Sequence, residues 1–120
     1  MSEPELQREW RFRIGDMIGF CERILSYTQA LNREDFPADG MRYDATLRNI
    51  ELIGEAATHI PATVRQDHPE IPWRMIVATR NQLIHGYAGL DDDVLWSIVH
   101  TDIPDLLSNL RSLQTKPRKF

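Results

Sequence analysis

The chain has 120 residues, 42% hydrophobic and 27% charged, with a formal net charge of −4 and one cysteine. That composition fits a single globular domain over residues 1–120, large enough for a real core. It excludes an internal disulfide and a membrane span, since no apolar run is long enough, and it argues against a general nucleic-acid coat protein, which would be basic.

The N-terminus, Met1-Ser2-Glu3-Pro4-Glu5, lacks the basic start and apolar stretch of a signal peptide. With a lone Cys21 this points to a cytoplasmic location. Helical periodicity then dominates, without strand alternation, internal repeats or low-complexity segments. Ile14, Met17, Ile18, Cys21, Ile24 or Leu25, and Leu31 form one stripe, which predicts a first long helix from about Glu5 to Leu31. Residues 32–40, with Pro37 and Gly40, read as a connection. A second helix places Leu47, Ile50, Ile53 or Gly54, Ala57 and Ile60 on one side. Gly54 in its interior costs about 1 kcal/mol of helix propensity, which the close approach of a neighbouring helix would explain.

Pro61 can start a short helix that ends near His68-Pro69, and Pro72 can start the next one, which carries Trp73, Ile76, Val77, Leu83 and Ile84. Gly86 and Gly89 loosen or end it. Asp91-Asp92-Asp93 supplies a cap and favourable charge for the last helix, whose buried stripe is Leu95, Val99, Ile103, Leu106, Leu110 and Leu113. Pro104 lies inside that helix and should bend it. The expected fold is all-α: an antiparallel bundle of four main helices plus a short one, with a core over about residues 10–113 and a small basic tail at 114–120.

The chemistry concentrates in Arg80-Asn81-Gln82-Leu83-Ile84-His85-Gly86-Tyr87. Arg80 is a permanent cation able to hold a phosphate bidentately, and His85 can move protons near neutral pH. These two suffice to cleave RNA without a metal or cofactor, because the ribose supplies its own nucleophile in the 2′-OH. On a regular helix Arg80 and Tyr87 lie about 20° apart, whereas His85 lies about 140° from Arg80. Either the helix breaks around His85-Gly86, or the site is built from more than one chain.

Other residues invite alternative readings. Glu55 and His59 stand four apart on one helix, a spacing that can present two metal ligands. No second pair of this kind exists among His68, His85 and His100, so a helix-stabilising pair is the better reading. Glu55 can instead face the Arg/His groove and hold Arg80. Cys21, on an apolar stripe, reads as a buried inert thiol. Trp10, Trp73 and Trp96 could stack on bases, although packing is the commoner use. Arg42, Arg48, Arg65 and Arg74 join Arg80 in a mid-chain concentration of arginine, and solvated surface charge is the usual role of such residues.

The motif resembles the R-x4-6-H signature of HEPN domains, in the R-x4-H-x-Y form of the HepT toxin family. Tyr43-Asp44-Ala45 and Arg48-Asn49-Ile50-Glu51-Leu52-Ile53-Gly54-Glu55-Ala56-Ala57 are similar to that family's second helix. His68-Pro69-Glu70-Ile71-Pro72-Trp73 resembles the segment before its motif helix, and Val94 to Leu113 its last helix. The resemblance implies a HEPN-like bundle forming a two-fold dimer, with the motif at a helix end in the dimer interface. It implies the toxin of a type VII toxin–antitoxin pair: a metal-independent endoribonuclease acting on mRNA or tRNA and leaving a 2′,3′-cyclic phosphate. Arg80 and His85 would be catalytic, with Asn81 in the polar position that follows the Arg. It further implies that Tyr87 receives adenylyl groups from a minimal nucleotidyltransferase antitoxin of the MntA type, which switches the toxin off. The rival reading is a non-catalytic HEPN helical dimer that binds nucleotide or protein, with the Arg/His pair as a phosphate clamp.

Overall fold

A computed structural model describes residues 1–86 and 90–115. Among them every regular element is helical. The first helix, α1 (Glu3–Thr28), starts where Ser2 accepts a hydrogen bond from the Glu5 backbone N–H, with Glu3 and Glu5 complementing the helix dipole. It buries Trp10, Ile14, Met17, Cys21, Ile24 and Thr28. These recur at alternating steps of four and three, so one narrow stripe meets the core. The Thr28 hydroxyl donates back to the Ile24 carbonyl, which satisfies it inside the protein.

The connection expected over 32–40 contains a helix of its own, α2 (Asp35–Ala38). Its Phe36 is completely buried, in ring contact with Tyr43 and Trp96. Arg33 pairs with Asp93, and the Tyr43 hydroxyl donates to Asp92 at 2.9 Å. Burial, and then this hydrogen bond, push the Tyr43 phenol above its usual range. The segment is thus pinned to the start of a later helix rather than left as a loop.

Asp39 caps α3 (Gly40–Thr58) by accepting from the Arg42 backbone N–H. Pro61 precedes α4 (Ala62–Asp67), and Pro72 precedes α5 (Trp73–His85). Proline is compatible with both starts, since the first N–H groups of a helix have no partner within it. The last predicted helix is a rod in three parts: α6 (Asp92–Ser97), a π turn (Ile98–Asp102) and α7 (Ile103–Thr115). The Asp91 side chain caps it by accepting from the Val94 N–H. At Pro104, where the sequence predicts a bend, the rod has this π turn. Pro104 has no N–H for the carbonyl four residues back, and the Ile103 N–H bonds the Ile98 carbonyl five back.

The core stripe of the rod is buried at Leu95, Val99, Ile103, Leu106, Leu110 and Leu113. Each such side chain stabilises the fold by about 1.5–3 kcal/mol through burial. α1 packs on both α3 and α7, and α5 packs chiefly on α3. The outer helices α5 and α7 therefore flank a groove of about 730 Å³, into which Ile50, Ile53, Ile76, Ile103 and Leu106 project.

Candidate functional site

Trp73 is the one buried residue of α5, so most of this 13-residue helix reaches the surface at least in part. Its inner edge is set by Gly54. A Cβ added there would lie 2.2 Å from the Arg80 Cβ and 3.2 Å from the Ile76 carbonyl oxygen. The helix propensity lost at Gly54 is thus exchanged for backbone-close packing of α3 on α5, directly beneath Arg80.

That contact fixes the stem of Arg80. Its Nη2 donates to Glu55 Oε2 at 2.6 Å and its Nη1 to Asn81 Oδ1 at 2.9 Å. The other Glu55 oxygen, Oε1, lies 3.6 Å from His59 Nε2. His59, Glu55, Arg80 and Asn81 therefore form one polar chain across α3 and α5. Glu55 is half exposed, so the pair is worth little as stability, on the order of 1 kcal/mol or less. Its consequence is orientation. A guanidinium has five N–H donors. Glu55 and Asn81 take one each, Nε is buried without a partner, and a further N–H remains on each terminal nitrogen. The Arg80 side chain is 28% exposed, so these donors can meet an outside anion.

His85 is the last residue of α5 and is exposed. Gly86 ends the helix with φ +64°, a left-handed conformation that glycine adopts without strain. The helix stays regular through His85, so the angle of about 140° between His85 and Arg80 persists. The guanidinium reaches round toward Asn81, on the His85 side of the helix, which narrows that angle without closing it. Tyr87 lies outside the described residues, as does the tail from Lys116 onward.

Other candidate residues have ordinary surroundings. Cys21 is fully buried, and burial, with Glu22 second, pushes its thiol up to about 12, so it carries no nucleophile. Trp10 and Trp73 belong to the core, and the Trp73 indole N–H donates to the His68 carbonyl. Trp96 packs on Phe36 and stacks on His100. His68 pairs with Glu70 at 3.2 Å. Among the described residues no three His, Cys, Asp or Glu side chains group to hold a metal ion. The sequence offers the Glu55–His59 spacing and Glu55 against Arg80 as alternative readings; in the structure one carboxylate makes both contacts.

A family model described as Ribonuclease HepT-like matches residues 17–113. A protein of Thermococcus cleftensis named "Probable ribonuclease HepT" is 38% identical over 91% of this chain and 99% of its own length. Two proteins named "Putative RNase" are also similar. The one from Caldanaerobacter subterraneus is 31% identical over 82% of this chain and 88% of its own. The one from Methanocaldococcus jannaschii is 32% identical over 83% of this chain and 92% of its own. No solved structure matches.

Proposed function

The chain belongs to the HepT-like ribonuclease family, and from that premise we propose that it is a metal-independent endoribonuclease whose reacting groups are Arg80 and His85. The observation that carries the reading is the Arg80 guanidinium. It is held by Glu55 and Asn81 with terminal donors to spare, on the same exposed helix end as an imidazole. In the reaction His85 accepts the proton of a ribose 2′-OH as its oxygen attacks the adjacent phosphorus. The P–O5′ bond breaks, and a protonated imidazole donates to the departing 5′-oxygen. Arg80 binds the non-bridging oxygens and stabilises the charge that grows on them. The products are a 2′,3′-cyclic phosphate and a 5′-hydroxyl.

In an in-line displacement the attacking 2′-oxygen and the departing 5′-oxygen lie on opposite sides of the phosphorus, out of reach of a single imidazole. The active form is accordingly a two-fold dimer that brings two copies of the motif to one cleft. The groove beside α5 supports this reading. Its floor is apolar, and Met75 at its lip is 65% exposed, so a second copy seated there would take both from water. Within this reading the protein is the toxin of a toxin–antitoxin pair in the cytoplasm, with mRNA or tRNA as substrate. A nucleotidyltransferase of the MntA type adenylylates Tyr87 and so places phosphate charge where the RNA phosphate must sit.

The test is an oligoribonucleotide incubated with purified protein in excess EDTA. Cleavage leaving cyclic phosphate ends, abolished by a 2′-deoxy substitution at the cut site, is the expected result. Cleavage that requires Mg²⁺ or survives the 2′-deoxy substitution contradicts the mechanism.

A further inference from the structure

We propose that Arg74 binds a second backbone phosphate of the RNA, so that the substrate strand runs along the exposed face of α5 from Arg74 toward His85. The inference rests on the ribonuclease reading and adds a contact that the Arg/His motif does not contain.

Arg74, Ala78, Asn81 and His85 are spaced by four, three and four residues. On a regular helix they fall within about 60° of one another. All four are exposed, so this stripe is the outer face of α5. The groove-lining residues Met75, Thr79 and Gln82 fall on another side, about 70–130° from the stripe's centre. The two faces also differ in charge. Glu70, Asp102 and Asp105 line the groove, and burial, with Asp105 second, holds the Asp102 carboxyl above its usual range. The outer stripe carries no acid, and α5 as a whole has two arginines and a histidine with no Asp or Glu, in a chain of net charge −4.

Arg33, Arg42, Arg48 and Arg111 each pair with a carboxylate. Arg74 has no hydrogen-bond or ion-pair partner among the described residues, so its donors are unspent. Ala78 leaves a shallow step between Arg74 and Asn81, where a strand can pass close to the helix. Asn81 lies seven positions beyond Arg74, a rise of about 10.5 Å. Phosphates follow one another about every 3.4 Å along a stacked strand and more widely along an extended one. A phosphate at Arg74 and another at Arg80–Asn81 are therefore no more than about three nucleotides apart on one strand.

The experiment measures binding of the full-length protein to a fluorescent single-stranded 2′-O-methyl RNA, which cannot be cut. Arg74→Ala should weaken binding about tenfold and flatten the dependence of log K on log[salt] by about 0.7, the value of one lost phosphate contact on a single strand. Arg74→Lys should recover part of the affinity and all of the salt slope. Arg8→Ala, an exposed arginine on α1, should match wild type in both. Equal affinity and slope for Arg74→Ala and wild type, or an equal loss in Arg8→Ala, overturns the proposal. Unchanged RNA binding together with weakened capture of a nucleotidyltransferase partner overturns it in favour of a protein contact. If wild type binds this RNA but cleaves no unmodified RNA, the ribonuclease reading fails and Arg74 is still decided by binding. If wild type does not bind, both fall.

Discussion

Arg80 has its stem wedged over Gly54 and its head tied to Glu55 and Asn81, so a phosphate would find the cation already aimed. Such preorganisation lowers the reorganisation needed in the transition state. Glu55→Ala should therefore reduce the cleavage rate about tenfold, whereas Glu55→Gln, which still accepts from Nη2, should lose less. Because Glu55 is half exposed, neither change should lower stability by more than about 1 kcal/mol. Cleavage kinetics beside a urea melt check this; equal rates for all three proteins would mean that the pair does not position Arg80. The second prediction concerns Tyr87. Tyr87→Phe should still cut RNA but escape neutralisation. Intact-mass measurement after incubation with ATP, Mg²⁺ and the nucleotidyltransferase should show added adenylyl mass on wild type alone. Modification of Tyr87→Phe to the same extent would move the acceptor elsewhere.

Elements with a long buried face were legible from spacing, and elements defined by backbone register were not. The stripes of α1, α3 and the α6–α7 rod each name nearly the residues that the fold buries. The break at Gly86 and the cap at Asp91 were readable because each follows from one residue type. α2 was missed because four residues cannot display a period, and its one anchor, Phe36, looks like any aromatic in a connection. The π turn was visible only as a proline in the wrong place. Which shape relieves it depends on the surrounding packing. Gly54 gave the clearest hint of tertiary contact, and it carries a prediction. Gly54→Ala improves helix propensity by about 1 kcal/mol, yet its methyl would overlap the Arg80 Cβ, so α5 must move away from α3. The net loss should be about 1–2 kcal/mol, a drop of several degrees in Tm, together with slower cleavage as Arg80 shifts. A rise in Tm would show that the helices are not in contact there.

For the whole molecule, a net charge of −4 need not oppose RNA binding, because α5 carries Arg74, Arg80 and His85 and no Asp or Glu of its own. The groove on its other side was not legible in the sequence. It exists because α5 packs on α3 while α7 packs on α1, and no single helix pattern records that pairing. If this groove receives a second copy, Met75→Lys should shift the protein to monomer in sedimentation and lower cleavage at least tenfold; a fully active monomer would end the two-copy account. The most direct measurement remains single-turnover cleavage of one oligoribonucleotide, in EDTA, by wild type, Arg80→Ala and His85→Ala, each first checked for a native helical spectrum. The account predicts that both variants fold and that each loses cleavage by a factor of at least about 100, the usual scale for a phosphate-stabilising or proton-transfer group. Cleavage at the wild-type rate by either folded variant would contradict it.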